Sequence, residues 1–257
     1  MDLGLKDKTA IVTGASRGIG RAIACQLAAE GMRLVVAART REQLDELAEV
    51  CLTECLVQSI DLREAGAAAV VVGAAAARFG RLDLLVNNAG ATKRGDFLTL
   101  SDADWSDGFA LKFFGAMRLC RAAWPYLQSS RGSIVNISGT GGRTASAEFT
   151  IGGAVNAAVL NLTKALADRG LKDGVRVNAI NPGLVTTDRL RIRIIDYARR
   201  HGIDEIEAAR RMAEERGIQR FGTPEEIARL VAFLASPAAA YCQGSVVDAD
   251  GGETHTL

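Results

Sequence analysis

The stretch Thr13-Gly14-Ala15-Ser16-Arg17-Gly18-Ile19-Gly20 constrains this chain more than any other. An apolar run, Thr9-Ala10-Ile11-Val12, precedes it and reads as a buried strand. A segment with Ile19, Ile23 and Leu27 on one helical face follows it. A glycine loop between a strand and a helix is the setting in which a dinucleotide binds. Gly14 allows the tight turn, Gly18 lets the backbone approach a pyrophosphate, and Gly20 lets helix and strand pack closely. The free N–H groups and dipole at the helix start then hold the phosphate charge. The bland alternative is a strand–helix turn that happens to be rich in glycine, and the sequence downstream argues against it.

Apolar runs that read as strands recur at residues 34–38, 56–60, 82–86, 133–137, 175–180 and 244–249. Helical segments lie between them: an alanine-rich one at 63–79, a long one from about Ser101, one at 154–169, and one at 223–236. In the last, Thr223 is the expected N-cap and Pro224 the first helical residue. This alternation predicts an α/β fold, a single doubly wound, Rossmann-like parallel sheet with helices on both faces. No linker, low-complexity stretch or repeat divides the chain, so residues 1–257 read as one dinucleotide-binding oxidoreductase domain. Residues 188–221 read as a helical lid over the site.

A formal net charge of +1 gives no field that would draw the chain to nucleic acid or a membrane surface. No signal peptide and no apolar run of spanning length is evident. Five scattered cysteines fit reduced thiols in a cytoplasm, and Cys51 and Cys55, with no histidine pair near them, read as structural thiols.

The first two glycines of the loop are three residues apart, giving Thr-Gly-x-x-x-Gly-x-Gly. Asn87-Asn88-Ala89-Gly90 ends the fourth strand, Ser138-Gly139 the fifth, and Asn181-Pro182-Gly183-Leu184-Val185-Thr186-Thr187 the sixth; Asp250-Gly251-Gly252 follows the last. With these motifs the chain resembles the short-chain dehydrogenase/reductase family, 3-oxoacyl reductases among them, over nearly its whole length. The resemblance implies a cofactor site at Gly14, Ser16, Arg17, Gly18, Ile19 and Gly20, at Asp61 and Leu62 by the adenine, and at Asn88, Ala89 and Gly90. Pro182, Gly183, Val185 and Thr187 would hold the nicotinamide carboxamide. An NAD-selective site usually has an acid at the end of the second strand. Ala38 stands there, followed by Arg39, which with Arg17 suits a 2′-phosphate, so NADP is expected over NAD.

The resembled family reduces carbonyls with a tyrosine acid, a lysine four residues later, a serine and an asparagine. A tyrosine of ordinary pKa, about 10, needs such a cation to work at neutral pH. Ser138 matches the serine, but the register places Gly152 at the tyrosine, Asn156 at the lysine and Lys112 at the asparagine. No tyrosine lies between Ser138 and Lys164, and Phe149 has no proton to give. Lys112 and Asn156 look like an exchange that keeps a cation in the pocket, with Gly152 leaving open the space of a tyrosine ring. The bland reading of Lys112 is a surface lysine. Three functions follow: an NADP(H)-dependent oxidoreductase on a small carbonyl or alcohol with catalytic Ser138, Lys112 and Asn156, aided by Tyr197 from the lid; a cofactor-binding protein without hydride transfer; or a lyase or isomerase on the same fold.

The helices at 105–127 and 154–169 carry apolar residues on more than one face, among them Phe113, Phe114, Met117, Leu119, Val155, Val159, Leu160 and Leu162. In the resembled family these helices form dimer and tetramer interfaces, so a homodimer or homotetramer is expected. Arg189, Arg191, Arg193, Arg199, Arg200, Arg210 and Arg211 crowd the lid. They read either as helix surface balanced by neighbouring acids or as a field that steers an acidic substrate.

Overall fold

The computed structural model describes residues 2–255. Its strands are β1 (Thr9–Thr13), β2 (Arg33–Ala38), β3 (Cys55–Ser59), β4 (Leu84–Asn87), β5 (Ser133–Ile137), β6 (Arg176–Pro182) and β7 (Val246–Ala249). They form one parallel sheet in the order β3-β2-β1-β4-β5-β6-β7. The central strands β1, β4 and β5 are buried along their whole length because both faces are covered. The expected doubly wound sheet is thus the fold.

The helices are α1 (Gly18–Ala29), α2 (Arg41–Val50), α3 (Ala67–Phe79), α4 (Asp102–Phe109), α5 (Ala116–Ser130), α6 (Thr150–Asp173), α7 (Asp188–His201), α8 (Glu205–Glu214) and α9 (Pro224–Ala235). Ile23, Leu27, Leu44 and Val231 of α1, α2 and α9 pack on one face of the sheet; Val71, Leu119, Leu127 and Ala167 of α3, α5 and α6 pack on the other. Each such fully buried leucine contributes about 1.5–3 kcal/mol. Strand order reverses between β1 and β4, and a crevice at the carboxyl ends of strands at such a point is where ligands bind.

The structure departs from sequence expectation in three places that shape the site. Helix α3 begins at Ala67, not 63, because Asp61 accepts from the Arg63 backbone N–H at 3.0 Å and holds the chain in a turn. Helix α6 begins at Thr150, a turn earlier than its glycine-rich start suggests. Gly152 and Gly153 are poor helix formers, but both sit where another group comes close, and packing overrides propensity. The long helix from Ser101 is interrupted by a π-helical turn, Ala110–Gly115, which links α4 to α5 and carries Lys112. Such turns insert an extra residue and re-aim the side chains around it.

Helices α7 and α8 pack on each other through Leu190, Tyr197, Ala208 and Met212. The Tyr197 hydroxyl donates to Glu215 and its ring stacks on His201 with centroids 4.0 Å apart. Tyr197 therefore belongs to the interior of this helix pair and does not face substrate. Among the described residues no helix is long and apolar enough to cross a membrane. All five cysteines are free, with Cys51 and Cys55 packed at the edge of the core.

Candidate active site

The glycine loop is shaped by contacts that leave no room for side chains. A Cβ on Gly20 would lie 2.1 Å from the Gly14 carbonyl oxygen, and one on Gly14 would lie 2.9 Å from Ala89 Cα. Gly14 and Gly18 also have φ of +64° and +55°, a region that favours glycine. The N-cap, Arg17, makes no side-chain cap, and the first turn of α1 has no acid. Its N–H groups and dipole are thus left for an anion, as a dinucleotide pyrophosphate requires. Asn88 braces this loop: its Nδ2 donates to the carbonyls of Thr13 at 2.9 Å and Gly14 at 3.2 Å. The Thr13 hydroxyl accepts from the N–H groups of Asn88 and Ala89 at 3.0 and 3.1 Å. The Asn88 amide therefore acts on the loop's own backbone.

A cavity of about 710 Å³ opens at the carboxyl ends of β4, β5 and β6 under α7. Ile19, Asn88, Gly90, Pro182, Gly183, Val185 and Thr187 line it, together with Ser138, Lys112 and Asn156. Thr187 approaches the glycine loop closely, since a Cβ on Gly18 would lie 3.3 Å from Thr187 Cγ2. Arg17 and Arg39 lie exposed outside this cavity, at the ends of the loop and of β2. The Asp61 carboxylate is gripped by the Arg63 guanidinium at 2.6–3.1 Å, which holds its pKa below the usual range. The Leu62 side chain is buried in the core beneath α5. Neither Asp61 nor Leu62 reaches the cavity.

Lys112, Ser138 and Asn156 meet through the backbone. Lys112 Nζ donates to the Ser138 carbonyl at 2.7 Å, and the Ser138 hydroxyl donates to the Asn156 carbonyl at 3.1 Å. The loop carrying Ser138 is fixed from β6: Ser138 N–H donates to the Ile180 carbonyl at 2.9 Å, and Gly139 N–H to Asn181 Oδ1 at 3.2 Å. The Lys112 stem runs along Gly90, where a Cβ would lie 2.8 Å from Lys112 Cδ. Lys112 is therefore not a surface lysine. Burial, with the Arg189 charge adding to it, pushes its pKa down to about 7. Asn156 Oδ1 is buried with no partner among the described residues.

The space at Gly152 is not open. A Cβ there would lie 2.1 Å from the Phe149 ring, which also packs over Gly141. The Arg94 guanidinium stacks on this ring at 4.1 Å from its centroid. Among the described residues no tyrosine lines the cavity, and Glu253 is its single acid against Lys112 and four arginines, Arg94, Arg189, Arg193 and Arg216. Of the lid arginines singled out in the sequence, only Arg189 and Arg193 reach the cavity. Arg210 and Arg211 pair with Glu207, and Arg199 with Asp196, on the surface.

Sequence comparison agrees with this architecture. A family profile described as enoyl-(acyl carrier protein) reductase matches residues 14–254. A short-chain reductase of Streptomyces niveus is 35% identical over 251 residues, covering 96% of this chain and 94% of its own. The chain belongs to the short-chain dehydrogenase/reductase family. A 3-oxoacyl-[acyl-carrier-protein] reductase of Vibrio cholerae is 32% identical over 254 residues, 97% of this chain and 98% of that one. Among solved structures, the L-sorbose reductase of Gluconobacter frateurii complexed with NADPH and L-sorbose superposes with a TM-score of 0.95 at 33% identity, covering 100% of both chains.

Within this short-chain dehydrogenase/reductase, sequence reasoning missed Arg94, Arg216, Glu253 and the seat of Phe149. Arg94 follows the Asn-Asn-Ala-Gly motif by four residues, and Arg216 follows α8. No local spacing marks either one, because they meet only through the fold.

Proposed function

We propose that this short-chain dehydrogenase/reductase is an NADP(H)-dependent oxidoreductase acting on a carbonyl/alcohol pair, with the Lys112 ammonium as proton donor in place of a tyrosine. The observation that carries this reading is Lys112 Nζ, inside the cavity and bonded to the backbone of Ser138. NADP(H), when bound, supplies or accepts the hydride. An ammonium has three N–H donors; one holds the Ser138 carbonyl and the others are available to a substrate oxygen. Ser138 orients that oxygen by turning its hydroxyl away from the Asn156 carbonyl. In reduction the carbonyl carbon gains the hydride, the C=O π pair moves to oxygen, and Lys112 protonates that oxygen. Lys112 is left as an amine, a form that its depressed pKa makes accessible at neutral pH, and regains its proton from solvent. The unpartnered Asn156 Oδ1 suits a hydroxyl of the nicotinamide ribose. In this reading residues 188–221 are the lid.

NADP is favoured because Arg17 and Arg39 are exposed and, among the described residues, paired with no carboxylate, and because the superposable L-sorbose reductase is an NADPH complex. NADPH should bind at least tenfold tighter than NADH, a difference of about 1.4 kcal/mol. Titration of wild type and Arg39→Ala checks this: the substitution should shrink the preference, and equal wild-type affinities would refute it.

The test of function is a carbonyl and alcohol panel read by the absorbance of the reduced nicotinamide. Turnover of a member supports the proposal. Cofactor binding without turnover supports a second reading, a protein that binds NADP(H) without hydride transfer, which the Phe149 ring over Gly152 favours.

Assembly follows from what the π turn, α5 and α6 leave uncovered. Leu119, Val155 and Val159 are buried within the chain, but Phe114, Tyr126 and Leu171 are exposed. Phe113, Met117, Leu160 and Leu162 are half-buried beside them. We expect this face to pair in a homodimer or homotetramer. Light scattering at micromolar concentration should show one of these, and a monomer would contradict it.

A further inference from the structure

We infer that the end of the cavity between α7 and the loop after β4 is an anion subsite, in which Arg94 and Arg193 hold a carboxylate of the substrate. The inference rests on the proposed function only in naming the substrate as the bearer of that anion.

Three arginines converge there from separate parts of the chain: Arg94 from the loop after β4, Arg193 from α7 and Arg216 from the segment after α8. Arg216 is neutralised by an ion pair with Glu253, whose other oxygen is buried without a partner. Arg94 and Arg193 have no carboxylate at ion-pair distance among the described residues. Arg94 instead holds its guanidinium over the Phe149 ring, 4.1 Å from the centroid. Arg193 is half-buried, and its guanidinium makes no hydrogen bond among the described residues. Burial and the nearby charges of Arg94 and Arg216, opposed by Glu253, push its pKa down to about 10; Arg94, exposed on its outer side, is lowered by burial and by Arg216, opposed by Glu148. Like charges gathered in a partly desolvated pocket are destabilising unless a counter-charge joins them.

This arrangement is not generic surface charge. On the outer faces of α7 and α8, Arg199 pairs with Asp196 and Arg210 and Arg211 pair with Glu207, while Arg191 and Arg200 stand in solvent; Arg193 is half-buried in the cavity wall with no carboxylate at ion-pair distance among the described residues. Arg189 is a separate case: its Nη2 donates to the Gly90 carbonyl at 3.1 Å and it feels the charge of Arg17, which puts it on the glycine-loop side. A planar guanidinium grips a carboxylate through two parallel hydrogen bonds. With that group at the arginine end, the same cavity extends to Ser138 and Lys112, where a carbonyl of the same molecule would sit. The substrate class is thus a keto acid or the corresponding hydroxy acid.

Isothermal titration of the NADPH-saturated protein with malonate, inorganic phosphate and uncharged dimethyl malonate tests this without turnover. Malonate should bind at millimolar concentration or better, and the diester should give no heat. Affinity for malonate should fall at least tenfold in Arg193→Gln and in Arg94→Gln and stay unchanged in Arg210→Gln, a surface control. Tighter binding of malonate than of phosphate supports the carboxylate, whereas tighter phosphate makes the subsite a phosphate site and overturns that assignment. Absence of malonate binding, equal loss in Arg210→Gln, or binding seen only without NADPH would overturn the proposal, the last by assigning these arginines to the cofactor. A carbonyl panel without turnover would sink the oxidoreductase reading and leave the malonate result standing.

Discussion

Lys112→Met is expected to lower kcat for NADPH-dependent reduction by about 10²–10⁴-fold, the usual contribution of a general acid. Methionine keeps the apolar stem that lies along Gly90 and removes the ammonium. The lost bond leaves the Ser138 carbonyl unpaired, at a stability cost of about 1–3 kcal/mol. A purely structural lysine would show that loss in the unfolding midpoint with kcat nearly intact. A proton donor shows a far larger loss in kcat, with NADPH affinity changed little. Steady-state kinetics with cofactor titration and thermal unfolding separates the two.

Gly20→Ala should abolish cofactor binding for a steric reason. The new Cβ would stand 2.1 Å from the Gly14 carbonyl oxygen and 2.4 Å from Asn88 Nδ2. One is backbone, and the other belongs to an amide that ties β4 to the loop, so neither yields without moving the pyrophosphate cradle. Overpacking of this kind costs roughly 1–3 kcal/mol or more in stability. Fluorescence titration with NADPH should show at least a hundredfold weaker binding. Gly73→Ala is the control: Gly73 is exposed in α3 with open space around it, and alanine there should add up to about 1 kcal/mol while leaving the cofactor site unchanged. Cofactor binding by Gly20→Ala within a few fold of wild type would contradict this account of the loop.

The parts of the molecule that were legible in sequence are those specified by local pattern. Strand β5 falls on the apolar run at 133–137 residue for residue, and Thr223 caps α9 with Glu226 in a reciprocal box. Apolar periodicity and cap chemistry act over a few residues, so they can be read without the fold. The glycine loop was legible because positive φ and close backbone approach admit few other residues. What was hidden depends on distant contacts. The π turn at Lys112 has no compositional mark, so its re-aiming of the side chain appears only in three dimensions. The Phe149 ring fills the place expected to be empty at Gly152, which no spacing rule predicts. Asp61 was recognisable as a motif residue, but its grip by Arg63 depends on the turn that delays α3. Arg94 and Arg216 are unremarkable as isolated residues and become a site only where the loop after β4 meets the end of α8.

The pH dependence of carbonyl reduction tests the central claim, that Lys112 donates the proton, most directly. Burial lowers the Lys112 pKa to about 7, so its ammonium is abundant below that pH and is lost above it. Reduction needs the ammonium, so kcat for NADPH oxidation should be level below about pH 7 and fall tenfold per pH unit above it. The reverse reaction needs the amine, so alcohol oxidation should rise up to the same midpoint and then level off. Lys112→Met should lose both limbs along with most of the rate. A reduction rate that stays level from pH 6 to pH 9, or that keeps its wild-type profile in Lys112→Met, would contradict the account.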